Sequence, residues 1–166
     1  MFADADEAGL IRELGSQPED SSTRYFAGDL RERLTIANLL SATIDAFDQI
    51  DILVNGARQV VTSDPLDPED DSTHMLLNEN LLPTLRLSQQ VAKRMIKQGE
   101  GRESQGPLGS IVNLSSIAAR RTHPELMAYS VSSAAMDQMT RSLSVAMAPH
   151  RIRVNSIAFG SVMSAS

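Results

Sequence analysis

The sequence predicts an α/β fold, a doubly wound parallel sheet with helices on both faces. Three observations predict it. Short apolar runs alternate with helix-like stretches along the chain. The intervening stretches exceed ten residues, long enough for the right-handed crossover that joins parallel strands. The runs themselves are almost wholly apolar, as in strands covered on both sides.

Residues 6–14 read as a short helix with Gly15 as its C-cap. Residues 23–27 read as a strand. Over residues 31–47, Leu34, Ala37, Leu40, Ile44 and Phe47 fall on one stripe, the pattern of an amphipathic helix. Ile52, Leu53 and Val54 form a short buried strand, and a polar loop rich in Asp and Pro follows over 62–71. Residues 76–97 make a long helix, in which Pro83 implies either a kink or a start near Asn80. After a Gly-rich loop over 99–109, residues 111–114 are the next strand. Residues 129–147 form a helix that Pro149 stops, and residues 152–158 are the last strand.

At 166 residues the chain suits a single domain over 1–166 with a core of its own. A net charge of −6 argues against nucleic acid or an anionic membrane as partner. With no cysteine there is no disulfide and no thiolate metal site. His74, His123 and His150 lack metal-ligand spacing, so no metal is expected. The opening residues Met1-Phe2-Ala3-Asp4 have neither the basic nor the apolar segment of a signal peptide, and no run approaches membrane-spanning length. The expectation is a cytoplasmic protein.

Ligands of open parallel sheets lie beyond the carboxyl ends of the strands. That places Asp29, Asn55, Ser116 and Gly160 at the candidate site. Ser116 ends a strand and Tyr129 opens the next helix, so the two hydroxyls can converge on one substrate oxygen. A phenol donates a proton to a developing alkoxide, and as phenolate it accepts one in the reverse direction. A serine hydroxyl holds the same oxygen by a second hydrogen bond. Each residue alone also has a plain reading, as a serine after a strand and a packing tyrosine at a helix start.

The order of four segments carries more than any one of them. Asn55-Gly56-Ala57-Arg58, Asn78-Glu79-Asn80-Leu81, Ser116 with Tyr129, and the run from Arg153 to Gly160 together resemble the short-chain dehydrogenase/reductase family. The resemblance covers nearly the whole chain. It implies a Rossmann-like sheet and an NAD(P)-dependent oxidoreductase that passes hydride between nicotinamide and a small carbonyl/alcohol substrate, in the manner of 3-oxoacyl or ketone reductases. It implies that Ser116 orients substrate, that Tyr129 is the acid/base, and that Asn80 supports the proton relay. It further implies Asp4 on the adenosine ribose, which favours NAD, and Asp29 with Leu30 at the adenine. Asn55, Gly56 and Ala57 would close over the cofactor, with Gly160, Val162 and Ser164 on its nicotinamide side. Family members commonly pair through two long helices, which implies a homo-oligomer through residues 76–97 and 129–147.

The chain also departs from that pattern. Ser133 stands where the family's Tyr-x-x-x-Lys has lysine, Arg58 where it has glycine, and Phe159 where it has proline. One helical turn separates positions 129 and 133, so they share a face. Ser133 can keep a hydrogen bond to a ribose, but it cannot supply the lysine's charge. Arg120 and Arg121 are the nearest cations in sequence, in what reads as a solvated loop. The Gly-rich turn that cradles a pyrophosphate has no counterpart; Gly99-Glu100-Gly101 reads as a connector. The sheet is therefore expected to be incomplete, without strands 1 and 7 and most of 2, leaving the strand at 23–27 with no neighbour. The chain is expected to be part of a longer protein or a degenerate copy of one, with activity weak or lost. The alternative reading is a catalytically inactive relative that serves as a binding or oligomerisation module.

Overall fold

The structure is a computed structural model that describes residues 1–15, 22–101 and 106–160. The chain divides into two compact units, residues 1–50 and 51–166.

The first unit holds strand β1 (Phe2–Asp4), helix α1 (Glu7–Leu14), strand β2 (Tyr25–Ala27) and helix α2 (Arg33–Phe47). Asp6 caps α1, its carboxylate accepting from the Gly9 N–H at 3.0 Å. Gly15 ends the helix at φ 75°, a left-handed conformation that glycine adopts without a Cβ penalty. β1 and β2 pair in parallel, with Phe2 opposite Tyr25 and Asp4 opposite Ala27. This corrects the expectation that the strand at 23–27 stands alone: Phe2, Ala3 and Asp4 are its neighbour. In α2 the stripe is also corrected. Leu34 is 72% exposed and Ala37 is exposed, while Ile36 and Leu39 are buried. Apolar residues surround more than half of this helix, so periodicity alone leaves its inward face open.

The second unit is built on strands β3 (Ile52–Asn55), β4 (Gly109–Ser116) and β5 (Ile152–Phe159), all parallel in the order β3-β4-β5. Leu53 lies opposite Ile111 and Ile111 opposite Val154, so one face of the sheet is continuous and apolar. Helices α4 (Leu82–Gly99) and α5 (Met127–Met147) pack on it and bury Ile111, Ile152 and Val154. On the alternate face Ile52, Val54 and Ile157 are exposed. A Cβ on Gly109 would come within 2.4 Å of the Met95 Sδ. Glycine is thus what lets α4 lie this close to β4, with Met95 fully buried between them. Among the described residues no helix is long and apolar enough to cross a membrane.

The helix expected over residues 76–97 is instead three pieces. Helix α3 (Ser72–Leu76) runs into a π turn (Leu77–Leu81), which leads into α4. Pro83 lies in the first turn of α4, where its missing N–H costs no helical bond. The break therefore falls at Asn80, as the proline implied, but as a widened turn within one helical path. At the other end of the unit, α5 gives way to a single 3₁₀ turn (Ala148–His150) containing Pro149, and Arg151 then takes a left-handed φ of 57°.

A buried polar network joins these elements. Asn113 on β4 is 0% exposed; its Oδ1 accepts from Asn55 Nδ2 at 2.8 Å and its Nδ2 donates to Thr140 Oγ1 at 2.9 Å. Asn55 Nδ2 also donates to Ser88 Oγ at 3.0 Å, and Thr140 passes its own proton to the Met136 carbonyl at 2.8 Å. The two amides, Asn55 and Asn113, thus link β3, β4, α4 and α5. Removing one side of such a pair strands a desolvated partner, at about 1–3 kcal/mol for each orphaned group. Asn113→Ala is expected to lower unfolding free energy by at least that amount in urea denaturation. An unchanged midpoint would show that the network carries no stability.

Candidate active site

Tyr129 is placed by the start of α5. Leu126, the helix's N-terminal flank, offers no side-chain cap. A distant serine supplies one: Ser63 Oγ accepts from the Ala128 N–H at 3.1 Å, and the Ser63 N–H donates to the Glu125 carbonyl at 2.9 Å. The loop after β3 is thereby fastened to the first turn of α5. The Tyr129 ring, 6% exposed, packs in a cluster with Leu76, Ala118 and Ala128, edged by Val61 and Leu126. This packing buries the tyrosine at the start of α5.

The loop is held a second time by Asn80. In the π turn its side chain is 5% exposed; Oδ1 accepts from the Gln59 N–H at 2.7 Å and Nδ2 donates to the Gln59 carbonyl at 2.9 Å. The Asn80 carbonyl accepts from Thr84 Oγ1 at 2.8 Å. π turns recur at functional sites because the extra residue turns one side chain or carbonyl out of the helical ladder.

Ser116 ends β4 and caps the short 3₁₀ turn Ile117–Ala119. Its Oγ accepts from Ala118 N–H at 3.2 Å and donates to the Phe159 carbonyl at 3.5 Å. Its neighbour Ser115 donates to the Ser133 carbonyl at 3.3 Å, tying β4 to α5 one turn beyond Tyr129. A narrow cleft brings together Ala57, Asn80, Ser115, Tyr129 and Ser133. Ser116 stands beside this group without lining the cleft.

Arg58 also lines the cleft. Its Nη1 donates to the Ser115 carbonyl at 3.1 Å, and its guanidinium lies 5.9 Å from the centroid of the Tyr129 ring and 5.9 Å from that of Phe159. Of the three positions that depart from the resembling family's pattern, Arg58 thus meets both Tyr129 and Phe159, and Ser133 lines the same cleft as Tyr129. Arg120, nearer Tyr129 in sequence, is turned to Asp137 at 4.0 Å with its own side chain 72% exposed.

The residues expected at a cofactor divide between the two units. In the second, Asn55 is spent on the buried network, while Gly56, Ala57 and Gly160 lie at strand ends. Neither Gly56 nor Gly160 has a positive φ. A Cβ at either would meet only ordinary contacts, at 3.4 Å and 3.6 Å. Neither backbone conformation nor packing within the described residues requires glycine there, so both leave bare backbone for something else to approach. In the first unit Asp4 ends β1 and accepts from the Asp6 N–H at 2.9 Å. Leu30 is half-buried in the turn after β2. Asp29 in that turn is held by Arg31 through Nε at 2.8 and 2.9 Å, and these bonds keep its carboxyl below the usual range. Val162 and Ser164 lie outside the described residues.

The sequence pattern described as short chain dehydrogenase matches residues 3–166. Carbonyl reductase (NADPH) 2 of Sus scrofa is 38% identical over 108 residues, 65% of this chain and 41% of the relative. The 2-dehydro-3-deoxy-D-gluconate 5-dehydrogenase of Escherichia coli (strain K12) is 32% identical over 135 residues, 81% of this chain and 51% of the relative. The crystal structure of an NAD⁺-bound xylitol dehydrogenase superposes with a TM-score of 0.78 at 25% identity, over 95% of this chain and 58% of that one. The chain spans about half the length of the curated relatives it matches.

Ser63 and Gln59 were not expected at the site, and the first of these is testable alone. Loss of an N-cap costs about 0.5–2 kcal/mol. Ser63→Ala is expected to destabilise the chain by that amount and to speed hydrogen exchange at the Ala128 amide. Unchanged exchange at Ala128 would mean that the loop does not hold the helix.

Proposed function

Because the chain belongs to the short-chain dehydrogenase/reductase family, we propose that it forms the catalytic half of an NAD(P)-dependent oxidoreductase acting on a small carbonyl/alcohol pair. The observation that carries this reading is the junction of β4 with α5. It holds Tyr129 over a cleft shared with Asn80 and Ser133, with Ser116 beside it.

Gly56 and Gly160 fit a dinucleotide, since both leave backbone open at strand ends without an internal reason for glycine. Ala57 and Ser133 would face it across the cleft, and Ser133 would offer a hydroxyl to a ribose. When bound, a nicotinamide supplies or accepts the hydride. Tyr129 does the proton chemistry. As carbonyl becomes alkoxide, its O–H bond breaks and a new O–H forms on the substrate oxygen. Ser116 rotates its hydroxyl from the Phe159 carbonyl, a long 3.5 Å bond, to the substrate oxygen. Asn80 keeps the Gln59 segment beside the cleft through its two hydrogen bonds. Asp4 at the end of β1 supports NAD over NADP, because a carboxylate there would repel a 2′-phosphate. On α4 and α5 we place the contact with a second copy; Val131 and Val145 of α5 are exposed.

A second reading has a specific observation in its favour. Arg58 fills part of the cleft mouth, as in a relative that binds without turning over.

Nicotinamide fluorescence separates the two readings. Titration with NADH and NADPH is expected to saturate below millimolar cofactor, with NADH the tighter. Tyr129→Phe is expected to leave binding intact and cut ketone reduction by roughly 10²–10⁴-fold, the usual worth of a positioned acid. Saturable binding with no turnover in the parent chain would favour the second reading; no binding at all would remove both.

A further inference from the structure

Two long-range contacts of Arg58 bear directly on Tyr129 and its strand. Its Nη1 bond to the Ser115 carbonyl and its position 5.9 Å over the Tyr129 ring bring a full positive charge to a tyrosine that Ser133 leaves without one. We infer that Arg58 is the cation of this site, a positioning residue that favours the Tyr129 phenolate and so performs, from the loop after β3, the service that Ser133 cannot perform from α5. The inference rests on the reading of Tyr129 as the acid/base.

The physical case has three parts. A cation within about 6 Å of an aromatic centroid is attracted to the ring face. The attraction grows when the ring carries a net negative charge, so it favours phenolate over phenol. The guanidinium stays charged at any pH at which a phenol titrates. It is also anchored: the Ser115 carbonyl fixes one nitrogen, and Phe159 supports it at 5.9 Å on a second side. Phe159 thus acquires a use as the second wall of an arginine slot. Glycine at position 58 and proline at 159 would provide neither charge nor wall, so the three departures at 58, 133 and 159 act as one exchange.

The other charged groups near Tyr129 do not make this contact. The residues in its cluster, Leu76, Ala118, Ala128, Val61 and Leu126, are uncharged. His74 on α3, and His123 and Glu125 before α5, are exposed, and Glu79 lies in the π turn. Arg120 faces Asp137, two turns along α5. Among the described residues, the ring contacts of Tyr129 bring only Arg58 to it as a cation.

During ketone reduction the Tyr129 O–H bond breaks, its proton joins the substrate oxygen, and the electron pair stays on the phenolate. The charge over the ring lowers the cost of that product-side anion. In the reverse direction the same charge keeps the base available.

The composition makes the test direct, because the chain has two tyrosines and no tryptophan. In a Tyr25→Phe background, the phenolate absorbance of Tyr129 can be followed against pH with no cofactor or substrate present. Arg58→Gln in that background is expected to shift the titration to higher pH, and Arg58→Lys to shift it less. Should Arg58→Gln fail to fold, Arg58→Met keeps a long apolar stem against both rings and removes the same charge. Circular dichroism over the pH range confirms that the folded chain is being titrated. Coincident titration curves for parent and neutral variants would overturn the inference, whatever their thermal stabilities. The outcome is independent of cofactor binding: a shift without turnover leaves Arg58 in place and removes the oxidoreductase reading, and turnover without a shift does the reverse.

Discussion

Asn113 sits at the middle of β4 with no solvent exposure, and each end of its amide has a partner on a different element. A desolvated amide is tolerable only while those partners stay in place. Apolar packing between a sheet and helices allows small slides; this bond set does not. It fixes the ends of β3 and β4 against α4 through Ser88 and against α5 through Thr140. Everything at the cleft is measured from that joint. Ser115 and Ser116 follow Asn113 by two and three positions along the same strand, Arg58 follows Asn55 by three, and Tyr129 lies upstream of Thr140 on the same helix.

From this joint the loop after β3 must run to the start of α5 and stay there. It is held at two points, by Asn80 at Gln59 and by Ser63 at Ala128. Both fasteners use backbone groups that helices and loops otherwise leave to water. The arrangement leaves Arg58, the residue before Gln59, with a short and well-anchored tether. A long side chain on a loose loop would pay a large rotamer entropy to stack on a ring. Here the backbone on one side is already fixed.

Much of this was legible in the sequence, for reasons that can be named. The strands of the second unit include short, mostly apolar runs such as Ile111 to Leu114, broken there by Asn113 alone, whose length and composition admit little else. The order of Asn55, Asn80, Ser116, Tyr129 and Gly160 is a pattern in one dimension, and pattern is what a sequence carries. β1 was legible only as the tail of a strand ending at Asp4, and its pairing with β2 was missed because three residues are too few to show alternation. α2 escaped because its apolar residues occupy two overlapping stripes, and only packing selects Ile36 and Leu39. The cap on α5 comes from 65 positions upstream, where no local rule looks for it. Arg58 was legible as an anomaly but not as a partner of Tyr129, since their proximity exists only after the loop is tied down.

The π turn before α4 has a consequence for helical phase. Leu76 packs in the cluster of Tyr129 and Thr84 lines the cleft beside that tyrosine, whereas Met95 further along α4 packs on β4. In an unbroken α-helix, side chains eight positions apart differ by about 80° around the axis. A π turn takes one residue more than an α turn, so the drift between Leu76 and Thr84 is largely cancelled. One helical path can then serve two separate interiors, the tyrosine's and the sheet's. Losing a single residue between Leu77 and Leu81 would put the two out of step. Chain length at this turn is therefore under tighter constraint than the chemical identity of its half-buried residues.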